Sequence, residues 1–164
     1  MNIRIAKDEK DSIAASYIYA MSWKAAYKGI YSDHFLSEIP LDFWAENFNS
    51  NYTAHRFEVA IMNTGNKDVG AGEYGLSRDY ADGSIGEITS IYFLQEAWGK
   101  GYSVQLMEFM VRNLKKMGCQ KIHLWVLTEN IRAQRFYEKY GFQRTGNEKQ
   151  TTLKEKKIVI EYAL

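Results

Sequence analysis

The period of hydrophobic and polar residues changes along this chain, and the order of the changes predicts a mixed sheet with helices. Asn2 to Ala6 alternates apolar and polar side chains, the two-residue period of a short strand. The period then lengthens. Ile13, Tyr17, Ala20, Trp23 and Tyr27 recur at three or four residues, the stripe of an amphipathic helix that Asp8 or Asp11 can cap and Gly29 stops. Ser32 opens a shorter helical piece to Ile39, which Pro40 bars from continuing, and Leu41 to about Phe48 carries a third. Alternation returns over Arg56–Met62 and from about Val69 to Leu76, with Asn63-Thr64-Gly65-Asn66 as the turn between them. Gly70, Gly72 and Gly75 weaken the second of these strands and signal a bulge or a close approach by another group. Asp82-Gly83 marks a further hairpin into a strand over Ile85–Leu94.

The rest of the chain is organised around Ile85 to Met117. After the strand and a glycine-rich turn, Val104, Met107, Met110, Val111, Leu114 and Met117 fall on one helical face, opposite Gln105, Glu108, Arg112 and Lys115. A crossover of this length makes the next strand, Lys121–Leu127, run parallel to Ile85–Leu94. Asn130 caps a last helix with inner face Ala133, Phe136, Tyr137 and Tyr140, ended by Gly141. Strands over Phe142–Lys149 and Lys157–Tyr162 close the chain, the second turning Ile158, Ile160 and Tyr162 inward. The expected fold is α/β (α+β): a mixed, mostly antiparallel sheet with one parallel pair and flanking helices, in a single domain over residues 1–164.

Composition narrows the function classes. A net charge of +1 leaves no electrostatic footprint for nucleic acid or an anionic membrane. No apolar run reaches the roughly 20 residues of a membrane span. The N-terminal MNIRIAKDEKD turns charged too early for a secretion signal, so a cytoplasmic location is expected. The one cysteine, Cys119, cannot form an internal disulfide and has no identifiable base, which marks it as structural. His34 and His55 lack metal-ligand spacing, His123 sits alone on a strand, and no metal is expected. Aromatic residues reach 15% and crowd the stretch from Trp23 to Trp44, where most should pack in the core and a minority line a pocket.

The turn Trp98-Gly99-Lys100-Gly101-Tyr102-Ser103 feeds a helix N-terminus, where unpaired amides and the helix dipole form an anion site, most often for phosphate or pyrophosphate. A tight turn that needs glycine only for its backbone angles is the competing reading. A nucleoside-triphosphatase loop is disfavoured, since no Lys-Ser or Lys-Thr follows the second glycine, and Val104 breaks the G-x-G-x-x-G dinucleotide pattern. The parallel strands should leave a crevice at their C-terminal ends. Tyr137 can extend its hydroxyl toward it, although spacing alone favours a core tyrosine.

Three segments together resemble the GNAT superfamily of acetyl-CoA-dependent N-acetyltransferases. Ile91-Tyr92-Phe93-Leu94 with the turn is similar to the family's strand and Q/R-x-x-G-x-G/A loop, Lys121–Val126 to its parallel strand, and Asn130–Phe142 to N-x-x-A-x-x-F-Y-E-K-x-G-F. Trp98 stands where the family has Gln or Arg, and Ser103 where it has Gly or Ala. The resemblance implies a splayed parallel pair and an acetyl-CoA site. In it, Ile91 and Phe93 pair with the pantetheine arm, the amides of Trp98, Gly99, Lys100, Gly101, Tyr102 and Ser103 hold the pyrophosphate, and Asn130 orients the ligand. It further implies direct attack by a primary amine of a small molecule, with Tyr137 as general acid and amides of the Ile85 strand at the oxyanion. Glu87 is the first candidate base and Glu73 the second, either being equally readable as an exposed sheet residue. A non-catalytic acyl-CoA-binding module and a protein lysine or N-terminal acetyltransferase are the alternatives. A homodimer through an exposed C-terminal strand is a further expectation.

Overall fold

Seven strands form one sheet in the computed structural model, which describes residues 1–164. They are β1 (Asn2–Ile5), β2 (Phe57–Asn63), β3 (Asp68–Leu76), β4 (Ile85–Phe93), β5 (Lys121–Leu127), β6 (Gln143–Gln150) and β7 (Ile158–Ala163), in the spatial order β1-β2-β3-β4-β5-β7-β6. Every neighbouring pair is antiparallel except β4–β5, so the fold is the mixed α/β sheet expected from the pattern. On one face lie α1 (Glu9–Ala26), α2 (Asp33–Glu38) and α3 (Ala45–Thr53). On the other lie α4 (Tyr102–Lys116) and α5 (Ile131–Tyr140), whose Met107, Met110, Leu114 and Tyr137 pack with Ile88, Leu124 and Tyr162.

The buried face of α1 differs from the predicted stripe. Ile13 and Tyr17 are 49% and 41% exposed, while Ala15, Ile18, Tyr19 and Ser22 face inward with Ser12 and Ser16. Those serines are buried because the backbone uses them: Ser16 Oγ donates to the Leu41 carbonyl at 3.0 Å and accepts from Trp44 N at 3.0 Å. A hydrophobic period cannot register a face made of small and hydroxylated side chains. In α4, Leu106 belongs to the core, and the terminal Val104 and Met117 are exposed. The third helix begins later than expected, at Ala45, because residues 41–44 form turns. In β7, Val159 and Glu161 are buried and Ile158 is 40% exposed, since both faces of this strand are covered. The C-terminal strand is therefore no exposed edge: β7 lies between β5 and β6, and β6 is the edge at this end of the sheet.

The glycines of β3 mark close approaches. A Cβ at Gly70 would fall 2.1 Å from the Phe93 ring, and one at Gly72 would fall 2.7 Å from Met110 Sδ.

Two irregularities in β4 shape the site. Glu73 pairs with Ser90 but Tyr74 with Ile88, so Thr89 is an extra, bulged residue. The parallel ladder to β5 ends after three pairs, Ile85–Lys121, Gly86–Ile122 and Glu87–His123. Beyond it the strands diverge, and β5 continues against β7 alone. The outer edge of β4 from Ile88 onward faces a fork in the sheet.

Candidate active site

A cavity of about 820 Å³ occupies the fork. Ile91, Phe93, Trp98, Gly99, Gly101, Tyr102, Ser103, Asn130, Tyr137, Glu73 and Glu87 all line it, so one space gathers every site residue predicted from sequence except Lys100.

At one end stands the glycine turn. Gly99 and Gly101 have φ of +74° and +77°, left-handed angles that favour glycine, and Gly101 is the N-cap of α4. The fifteen-residue helix starts without a side-chain cap, leaving the Tyr102 and Ser103 amides at its positive end beside the cavity. The Arg132 guanidinium lies 4.0 Å over the Trp98 ring and adds a cation there.

The strand edge comes next. Leu94 N donates to the Val69 carbonyl, so by alternation the polar backbone groups of Phe93 and Ile91 point away from β3 into the fork. The Phe93 carbonyl already accepts from Ser22 Oγ at 2.8 Å and Trp98 Nε1 at 2.9 Å, which leaves its N–H for a ligand. The indole at position 98 thus has a structural partner of its own. Asn130 Oδ1 accepts from Ala133 N at 3.1 Å and caps α5.

The titratable groups sit at the centre. Tyr137 is buried among Phe136, Phe142 and Tyr162, and its hydroxyl makes no hydrogen bond to the protein. Burial, with a smaller contribution from Tyr92, pushes its pKa well above the ordinary tyrosine range and keeps the phenol protonated. Glu87 is 1% exposed and clamped by Arg78: Nη2 to Oε1 at 2.5 Å, Nε to Oε2 at 3.1 Å, and the backbone amide to Oε2 at 3.1 Å. Glu73 is also buried but makes no ion pair. Asn51 Nδ2 donates to its Oε1 at 2.8 Å and the bulged Thr89 Oγ1 to its Oε2 at 2.7 Å. Burial raises its pKa despite those two donors. Neither glutamate is the exposed sheet residue that the sequence left open.

A third carboxylate, Asp79, comes within 4.8 Å of Glu87 and His123, a spacing that could suit a metal. These groups are engaged otherwise. Arg78 holds Glu87, Lys149 Nζ and Trp125 Nε1 bind Asp79 at 3.0 and 2.8 Å, and Ser77 Oγ meets His123 Nε2 at 2.7 Å. His123 Nδ1 is 2.9 Å from Glu161 Oε1 but lacks the alignment of a hydrogen bond.

Residues 18–142 match the family model described as Acetyltransferase (GNAT) family. The chain belongs to the GNAT acetyltransferases. Acetyl-CoA is the acetyl donor of this family. Among curated proteins, it is 32% identical over 82 residues to a spermine/spermidine N(1)-acetyltransferase of Bacillus subtilis, covering 48% of this chain and 54% of that one. The match thus spans about half the length of the curated relative. Among solved structures, PaiA N-acetyltransferase from Thermoplasma acidophilum in complex with coenzyme A superposes with a TM-score of 0.74 at 22% identity, over 98% of both chains. YncA from Salmonella typhimurium, solved with its cofactor acetyl-CoA, superposes at 0.69 and 19% identity over 99% of this chain and 92% of its own.

Within this GNAT domain, sequence reasoning missed the partners of the site residues. Arg78 lies in the loop after β3, nine residues from Glu87, while Asn51 in α3 and Ser22 in α1 lie 22 and 71 residues from the groups they serve. A local motif carries no signal for them. Position 98 offered a usable hint, because an indole in place of the family's Gln or Arg asks for a partner, and Arg132 and the Phe93 carbonyl supply it.

Proposed function

We propose that this chain transfers an acetyl group from acetyl-CoA directly to a primary amine of a small molecule. The observation that carries the reading is the shared cavity: the α4 N-terminus, the open edge of β4, Tyr137 and Glu73 all face it. The residues fit the coenzyme. Amides from Trp98 to Ser103, including those at the head of α4, suit a pyrophosphate, and Ile91 with the Phe93 N–H suits a pantetheine arm laid down as an added strand. Lys100, whose side chain lies away from the cavity, contributes through its backbone, and Asn130 orients the ligand through the helix end it caps.

The coenzyme supplies the activated acetyl thioester. The amine must lose a proton before it attacks, since an alkylamine is mostly charged at neutral pH. Glu73 is the favoured acceptor of that proton, because it makes no ion pair and burial raises its basicity, outweighing its two hydrogen-bond donors and the charge of Arg78. Glu87, given first place from sequence, has both carboxylate oxygens held by Arg78 and anchors the loop carrying that arginine. Tyr137 Oη donates the proton that the departing thiolate needs, and its raised pKa keeps it in the donor form.

The test is thiol release from acetyl-CoA with a panel of primary amines, checked by mass spectrometry of the amine. Amine-dependent release with one added acetyl group per molecule is expected. Coenzyme binding by calorimetry without amine-dependent release would refute the reading and favour a non-catalytic acyl-CoA-binding module.

A further inference from the structure

The acceptor half of the cavity, on the α1 and α2 side of the sheet, has a composition that selects among amines. Trp23 is the hub of its wall, with ring centroids 4.7 Å from Tyr27, 5.3 Å from Trp44, 5.5 Å from Tyr31 and 6.4 Å from Tyr92. The hydroxyls of Tyr27 and Tyr92 lie 2.9 Å apart, so one donates to the other and a single proton between them is left to offer. Trp23 Nε1 is buried without a directed partner.

The charges are as restrictive as the rings. Three carboxylates line the cavity. Arg78 neutralises Glu87, and Lys149 neutralises Asp79. Only Glu73 makes no ion pair, although the charge of Arg78 reaches it, and it answers to the reacting nitrogen. A second or third ammonium would have to leave water for a wall that offers rings and hydroxyls but no free carboxylate. Attraction to aromatic faces returns only part of an ammonium's hydration. A carboxylated acceptor fares no better, because Arg78 and Lys149 already hold carboxylates of the chain, and the third cation of the lining, Arg132, stacks on Trp98 at the coenzyme end.

We propose that the acceptor is a monoamine with a flat apolar body, an arylalkylamine, seated against Trp23 with its nitrogen toward Glu73. This rests on the acetyltransferase reading and names the substrate class of that site. It differs from the polyamine substrates in the name of the half-length Bacillus subtilis relative.

The experiment compares 2-phenylethylamine, n-propylamine, lysine and spermidine by thiol release at saturating acetyl-CoA. The kcat/KM for 2-phenylethylamine should exceed each of the others by at least about tenfold, within the roughly 10–200-fold that apolar pocket contacts achieve. Spermidine or lysine equal to or better than 2-phenylethylamine would overturn the proposal. If no amine is acetylated, calorimetry on the coenzyme A-loaded protein separates the two claims. Binding of 2-phenylethylamine in preference to spermidine would support the acceptor class while the transferase reading fails, and no such preference would sink both. As a second check, Trp23→Leu should lower kcat/KM for 2-phenylethylamine about tenfold and for n-propylamine less than about threefold. Equal losses on the two amines would place the acceptor's body elsewhere and count against the proposal.

Discussion

Replacing Tyr137 by phenylalanine separates a catalytic hydroxyl from a packing ring. The ring lies 5.4 Å from Phe136, 5.9 Å from Phe142 and 6.4 Å from Tyr162 by centroids, and phenylalanine keeps those contacts. The hydroxyl has no hydrogen-bond partner in the protein, so its removal strands no buried group, and stability should change by less than about 1 kcal/mol. The rate should respond very differently. A positioned general acid contributes roughly 10²–10⁴-fold, about 2.7–5.4 kcal/mol of barrier. Because the α4 N-terminus and the β4 edge grip the coenzyme through backbone groups that this substitution leaves in place, acetyl-CoA affinity should stay within about threefold of wild type by calorimetry, and kcat and kcat/KM should fall together, the mark of an interaction made in the transition state. Wild-type activity should also show no alkaline loss from this phenol near pH 10, since burial raises its pKa. A kcat within about threefold of wild type in Tyr137→Phe, with the fold intact, would remove Tyr137 from the mechanism.

Glu73→Gln should lower kcat/KM by roughly 10²–10⁴-fold and abolish the acid limb of its pH profile, which in the wild type should lie above pH 4.5 because burial raises this carboxyl; an unchanged acid limb would assign the base elsewhere. The same group links stability to pH. Its folded pKa exceeds its unfolded value, so the folded state binds the extra proton, and stability falls as pH rises through the window above 4.5; denaturant titrations of Glu73→Gln should show a flatter slope there. Gly70→Ala puts a Cβ 2.1 Å from Phe93 Cε1, which should cost about 2 kcal/mol of overpacking and lower Tm by roughly 4–8 °C in a thermal melt.

Much of this was legible in the residues themselves, and the limits have physical causes. The parallel strand at Lys121, the caps Asp8, Ser32 and Asn130, and the glycine turn before α4 depend on local geometry, and local geometry leaves a local pattern. The buried face of α1 did not, because Ser16 and Ser22 are buried against partners, Leu41, Trp44 and Phe93, that lie 25 or more residues away. The ranking of the two glutamates followed the same rule. Spacing placed both near the crevice, but only the Arg78 clamp, across the β3–β4 loop, tells the paired one from the free one. Helix periodicity also overran at the ends of α4, where Val104 and Met117 continue the stripe past the core it covers.

The position of β7 bears on how the molecule assembles. β6 joins the sheet only through β7, and β7 is also the only antiparallel neighbour of β5. The His123–Ala163 and Leu127–Val159 pairings close loops of more than thirty residues, and long-range ladders of this kind form slowly. Until then the fork lacks part of its lining, because Thr151, Thr152 and Leu153 of the connection between β6 and β7, together with Val159, line the cavity. Maturation of the sheet and maturation of the binding chamber are therefore a single event. A chain interrupted before that event should expose the outer edge of β5 to other strands and hold no acceptor at all.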